Sequence, residues 1–307
     1  MLVFAASDKG GTGRSVTCAN IAFRCALKGM DVAYVDFDFG SPTAPTVFGL
    51  TAAADRTAAA DRTAATGVHS YLRGENAHLP RLDMWSLSER AALRGPPPGS
   101  GRLCLYPGNR GGGEFAIGGA VTGRCVDLLL LLLTEFDIVF VDLSAGRSFA
   151  VDLALNATAR DQLANTETRW LVFHRWTHQH IMATADLVNG KRGIVDIGTG
   201  HGHDEAALRN RIRFVRAAVP REPDQLRPVQ AEWIRTLDEE LTAMAADKGL
   251  GRAVTLGAVP LEPVLQWREQ IITDGDALTS GVANTATVDA YQDLAAALTD
   301  SSRWETL

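Results

Sequence analysis

Seven residues near the start of the chain carry the strongest chemical signal. Lys9-Gly10-Gly11-Thr12-Gly13-Arg14-Ser15, followed by Val16, sets three glycines between basic and hydroxyl side chains. A loop this rich in glycine lets successive backbone N–H groups turn to one side, where they form a cradle for phosphate oxygens. A helix starting just behind it adds the partial positive charge of its N-terminus. Ser15 then stands where a hydroxyl reaches Mg²⁺. The same loop without a ligand is an ordinary turn between strand and helix. Three carboxylates tip the balance toward chemistry. Asp36 and Asp38 end one apolar run, and Asp142 ends another. A single aspartate at a strand end ordinarily caps the following turn. In a parallel sheet, however, the carboxyl ends of strands gather on one edge, which brings all three beside Ser15. One or two of them could hold Mg²⁺ through water, and one could orient an attacking water.

The surrounding pattern supplies the elements that such a cluster needs. Leu2–Ala6 is a short apolar run, the glycine loop follows, and Val16–Leu27 has apolar residues at helical spacing. Gly29 stops that helix, and Asp31–Phe37 reads as a second strand. This β-loop-α-β order opens a doubly wound parallel sheet. Further strands are predicted at Arg102–Tyr106, Asp137–Asp142, Trp170–Phe173, Arg211–Val219 and Ala253–Val259. Helices are predicted up to Glu135, over Ala231–Ala246 with Trp233, Leu237, Leu241 and Met244 on one face, and over Val288–Leu298. Thr51–Arg56 repeats as Thr57–Arg62, and this Ala-rich stretch, about residues 51–66, reads as an expanded loop without chemistry. The expectation is one α/β domain over residues 1–307: three layers, doubly wound, the sheet mostly parallel.

Composition bounds the function. With 46% hydrophobic and 21% charged residues in 307, the chain is an ordinary globular one that can bury a core without staples. A net charge of −6 argues against a dedicated nucleic-acid or anionic-membrane surface. Cys18, Cys25, Cys104 and Cys125 form no CxxC pair or zinc spacing, so reduced thiols and a cytoplasmic location are expected. No apolar run is long enough to span a bilayer, and no charged leader precedes the first one.

Lys9–Ser15 resembles the deviant Walker A loop, KGGxGK[ST], of the MinD/ParA superfamily of ATPases. Asp36-Phe37-Asp38 resembles that family's DxD element, and Asp137–Asp142 its Walker B strand. Leu256-Gly257-Ala258-Val259-Pro260 is similar to the late LGxIP segment, and Val264, Glu269 and Asp274 continue the pattern. The resemblance covers most of the chain outside the Ala-rich stretch and is greatest to actinobacterial variant P-loop proteins. It implies the P-loop NTPase fold, with ATP and Mg²⁺ as ligands. It also implies a homodimer in ATP, slow ATP hydrolysis used as a positional or assembly switch, and a protein partner that stimulates it. Lys9 would reach the partner copy's phosphates, Asp38 would activate water, and Gly10 to Val16 would hold the nucleotide. Ser15, Asp36 and Asp142 would hold Mg²⁺, partly through water.

Arg14 departs from the pattern, because the family has lysine there. A guanidinium is longer, planar and bulkier than an ammonium, so its geometry against a γ-phosphate differs. Binding then survives while hydrolysis suffers, which makes a non-hydrolysing nucleotide-binding scaffold the alternative reading. Arg147, after Asp142, is either a phosphate-facing cation or the partner of a surface acid. His174, His178, His180, His201 and His203 match no metal spacing. Arg175 and Trp176 would line the nucleotide edge or a dimer face, or the segment only packs locally. Arg209, Arg211, Arg213 and Arg216 form one dense basic run, expected as a solvated face. Leu298–Leu307 is acidic and short, unlike a membrane-docking helix.

Overall fold

A computed structural model describes residues 1–60, 66–116, 118–220 and 227–305. Its centre is an eight-stranded sheet: β1 (Leu2–Ser7), β2 (Val32–Phe37), β3 (Leu82–Asp83), β4 (Leu103–Tyr106), β5 (Ile138–Leu143), β6 (Thr168–Arg175), β7 (Ile212–Val219) and β8 (Thr255–Pro260). The spatial order is β3-β4-β2-β5-β1-β6-β7-β8. The short edge strand β3 is antiparallel to β4, and every other neighbouring pair is parallel. All six residues of β1, of β2 and of β5 are buried. Covered on both faces, such strands read as continuous apolar runs, which is why they stand out in the sequence.

One face carries α1 (Arg14–Leu27) together with the helix Thr285–Thr299. The helices Gly119–Glu135 and Phe149–Thr158 cover the other. The expected three-layer, doubly wound, mostly parallel architecture is therefore the one observed. Cys18, Ala19, Ala22, Cys25 and Ala26 of α1 are small and buried, which lets the helix lie close on the sheet and brings its N-terminus to the strand ends.

Two expectations are corrected. Thr51–Ala60 is a helix rather than a loop, with Ala53 packed into the core. Alanine loses no side-chain entropy in a helix, and that preference prevails over the repetitive composition. The rest of the repeat, residues 61–65, lies outside the described residues. The helix Pro228–Asp247 buries only Leu241 and Ala245, while Trp233 is 64% exposed. Leu237 and Met244 pack against the core beside Leu241, so three of the four expected residues form the packed face and Trp233 lies outside it. The sequence reading also missed β3 and the helices Val68–Arg73, Phe149–Thr158, His178–Asn189, Ile194–Gly200 and Glu205–Asn210.

Candidate functional site

The loop from Lys9 to Gly13 joins the carboxyl end of β1 to α1. Gly11 and Gly13 sit at φ +73° and +83°, a left-handed region that glycine enters without steric cost. Gly13 is the N-cap of α1, and no side chain caps the helix. The backbone N–H groups of Gly10 through Val16 meet no acceptor among the described residues. Gly10 and Gly11 are exposed, but Thr12 to Val16 are buried or half-buried, and N–H groups there are rarely left so. A cavity of about 230 Å³ opens on them, lined by Lys9 through Val16 with Asp38, Ala145 and Glu269. A run of unpaired amides at a helix N-terminus is suited to an anion.

The acids stand beside this cavity because of strand register. Asp36 and Asp142 are direct cross-strand neighbours in the β2–β5 pair. Both Asp36 oxygens accept backbone N–H groups, from Asp38 at 3.1 Å and Ala44 at 3.2 Å. Burial, and then the nearby Asp142 carboxylate, push Asp36 well above the usual carboxylate range, toward the neutral acid.

Arg14 lines the cavity and its guanidinium reaches the acids. Its Nε donates to Asp142 Oδ1 at 2.6 Å, and its Nη2 donates to Asp38 Oδ2 at 2.9 Å and Ser15 Oγ at 3.2 Å. The residue is 5% exposed. Burial lowers the guanidinium pKa, but Asp142 and then Asp38 outweigh it, so the net direction is up and the charge is held. The Tyr34 hydroxyl lies 2.9 Å from Asp142 Oδ2. Tyr34 was not anticipated as part of the site. The signal was its position two residues before Asp36, on the same face of β2.

Helix α1 also fixes the far lip of the cavity. Asn20 Nδ2 donates to Gln270 O at 3.1 Å, and Asn20 Oδ1 accepts from Ile272 N–H at 2.7 Å. Arg24 donates to Asp274 Oδ1 at 2.6 Å and Ile272 O at 2.9 Å. These bonds hold residues 270–274 against α1 and set Glu269 at the opening. A second cavity, about 250 Å³, adjoins the loop on the β7–β8 side and is lined by Gly11, Gly13, Arg175, Ala217, Glu262 and Tyr291 among others. Arg175 thus does stand at the edge of the loop. Trp176 instead donates to Asp238 at 2.6 Å.

The remaining candidates point elsewhere. Arg147 pairs with Asp186, so of its two readings the surface partner is the observed one. His201 bonds Asp152 and His203 bonds Leu155 O, and no group of three metal-ligating side chains occurs among the described residues. The basic run is not one solvated face: Arg209 is exposed and pairs with Glu205, but the rest of the run enters the fold. Arg213 is buried, donating to Asn210 O, Ile212 O and Arg303 O, and Arg216 stacks 3.5 Å over Trp176. In β7 alternate side chains enter the layers on either side of the sheet, and the aliphatic stems and planar heads of arginine pack there. All four cysteines are free and buried.

No family model matches the chain. Over 53 residues it is 40% identical to an iron-sulfur cluster carrier protein of Synechocystis, a match that covers 17% of this chain and 15% of that relative. The MinC:MinD cell division protein complex of Aquifex aeolicus superposes on 100% of this chain and 97% of its own, with a TM-score of 0.58 and 16% identity. This chain has the MinD/ParA fold. The septum site-determining protein MinD of Pyrococcus horikoshii, complexed with Mg-ADP, matches the same fold with a TM-score of 0.55 and 14% identity, over 100% of this chain and 99% of its own. Within the MinD/ParA fold, the Lys9–Val16 loop lies at the carboxyl edge of the parallel strands, where open α/β sheets bind ligands. No helix among the described residues is long and apolar enough to cross a membrane.

Proposed function

We propose that this chain is a nucleotide-binding member of the MinD/ParA superfamily. It holds ATP on the Lys9–Val16 loop, pairs with a second copy in the bound state, and acts as a scaffold with little or no turnover. The observation that carries this reading is the row of N–H groups from Gly10 to Val16, without acceptors and facing a cavity beside Lys9. The Mg-ADP on the P. horikoshii protein supports a nucleotide as the anion.

The slow-ATPase switch is the rival, and one observation weighs against it. Asp38, the acid expected to activate water, accepts from Arg14 at 2.9 Å and from Ser41 N–H at 3.2 Å. Each Asp38 oxygen thus already has a protein donor, and a water must share it with the guanidinium or with the Ser41 amide. Carriage of an iron-sulfur cluster, the role named for the short Synechocystis match, finds no support in four buried cysteines.

The test pairs binding with turnover. Calorimetric titration should show ATP binding to the full chain, and Gly13→Val should abolish it. Any side chain at φ +83° is strained, and the added bulk meets Ala217 and Thr17, so the loop must shift to hold it. Circular dichroism should show the variant folded. Unchanged affinity in a folded Gly13→Val protein would refute the loop as the site. Steady phosphate release by the wild type at rates that Asp38→Ala removes would restore the switch.

A further inference from the structure

The MinD/ParA fold implies a divalent cation beside the bound phosphates, and Ser15, Asp36 and Asp142 were the residues expected to hold it. Each of these side chains already accepts from a protein donor. Asp142 Oδ1 accepts from Arg14 Nε, and Asp142 Oδ2 faces the Tyr34 hydroxyl. Asp36 accepts two backbone N–H groups, and Ser15 Oγ lies 3.2 Å from Arg14 Nη2. Asp38, the remaining acid of the cluster, also holds the guanidinium.

Mg²⁺ needs near-octahedral oxygen donors at about 2.0–2.1 Å. To reach Asp142 it would have to break a buried ion pair and stand against a guanidinium with 5% exposure. Displacing one partner of a buried pair leaves an uncompensated charge, which is strongly unfavourable. The residues present therefore do not fit a directly bound metal, and a water on such an ion would meet acids that already hold Arg14 and Tyr34. The same geometry explains the arginine. A lysine offers one point charge, whereas the guanidinium fork presents Nε to one carboxylate and Nη2 to a second carboxylate and a hydroxyl.

We propose that the Arg14 guanidinium takes the place of the divalent cation, so that the loop binds its nucleotide phosphates without a metal. This rests on the nucleotide reading for its ligand, but the engagement of the acids stands independently of it. A covalently fixed charge does not leave with product or exchange with solvent, which suits a scaffold better than a cycling hydrolase.

The experiment has two arms, so that each claim fails separately. In the first, thermal unfolding of the nucleotide-free chain is followed in excess EDTA and in millimolar MgCl₂ at matched ionic strength. The wild-type midpoint should not move. Arg14→Ala should melt lower, Mg²⁺ should raise its midpoint, and Arg14→Ala/Asp142→Asn should lose that gain, because only a vacated acid cluster binds the ion. Should Arg14→Ala not fold, Arg14→Lys supplies the same comparison with the charge kept. A Mg²⁺-induced rise in the wild type that Asp142→Asn removes overturns the inference. In the second arm, ATP is titrated into the chain with and without Mg²⁺. Wild-type affinity should agree within about twofold, and Arg14→Lys should gain about tenfold or more from Mg²⁺. A wild-type gain of that size overturns the inference while leaving nucleotide binding intact. Absence of ATP binding in both buffers overturns the nucleotide reading, and the first arm then decides the cation claim alone.

Discussion

At the scale of single residues, the site is set by charges that the fold has taken out of water. Arg14 is tolerated in the interior because two carboxylates meet it; neither would be stable there alone. His174 shows the opposite solution. It is fully buried between the Trp176 and Phe214 rings, with Nδ1 facing Arg175 O at 3.1 Å and Nε2 without a partner among the described residues. Burial first, then the charges of Arg216 and His180, lower its pKa to about 4. In the unfolded chain it takes its proton near the ordinary value of about 6.5. Between these limits the unfolded chain binds more protons than the folded one, so stability falls as pH drops from about 6.5 to about 4. The loss attributable to His174 is at most about 3 kcal/mol. His69, lowered chiefly by burial, adds to the slope in the same direction. Urea midpoints measured across this window should fall steeply for the wild type and less steeply for His174→Phe. Parallel slopes would show that His174 titrates normally.

At the scale of elements, α1 does two jobs. Its N-terminus opens on the cavity, and its buried face grips residues 270–274. Asn20 is central to the grip, bonding Val16 O at 2.8 Å as well as Gln270 O and Ile272 N–H. Asn20→Ala strands a buried carbonyl and a buried N–H, each worth roughly 1–3 kcal/mol when left unmade. The expected cost is about 2 kcal/mol or more, read as a lower urea midpoint at unchanged m-value. A midpoint equal to wild type would mean that the segment is held by its apolar neighbours Ile271 and Ile272 instead. The late acids of the sequence pattern acquire distinct tasks here. Asp274 pairs with Arg24, and Glu269 faces the cavity.

At the scale of the molecule, the parallel sheet gathers the loop, the acids and Lys9 on one edge. Lys9 is half-buried at the cavity and makes no ion pair with the described residues. That leaves its ammonium free for a phosphate, of its own copy or of a second one. In the dimer reading, Lys9→Ala weakens self-association in ATP more than it weakens nucleotide binding by the monomer. Sedimentation in a non-hydrolysable ATP analogue checks this: the wild type should shift toward dimer and Lys9→Ala should remain monomeric at the same concentration. Equal dimer fractions would confine Lys9 to its own cavity.

Local pattern alone was enough to determine the loop, α1 and the main parallel strands. Buried strands read as apolar runs, glycines mark the turns, and both signals are confined to a few neighbouring residues. The convergence of Asp36, Asp38 and Asp142 on one edge also followed from the sequence, because parallel pairing puts all strand ends together. Short helices such as Glu205–Asn210 were illegible, since one or two turns carry too little periodicity to separate from a loop. The direction of Arg14 could be decided only by tertiary structure. Its partner Asp142 lies 128 positions away, and the two meet because the β2–β5 register sets Asp142 beside Asp36 and Tyr34. From the sequence, a basic residue at the end of a glycine loop points toward phosphate. Once the strands are paired, the nearest unpaired charges are carboxylates in a low-dielectric interior, where attraction is far stronger than in water, and the guanidinium turns to them.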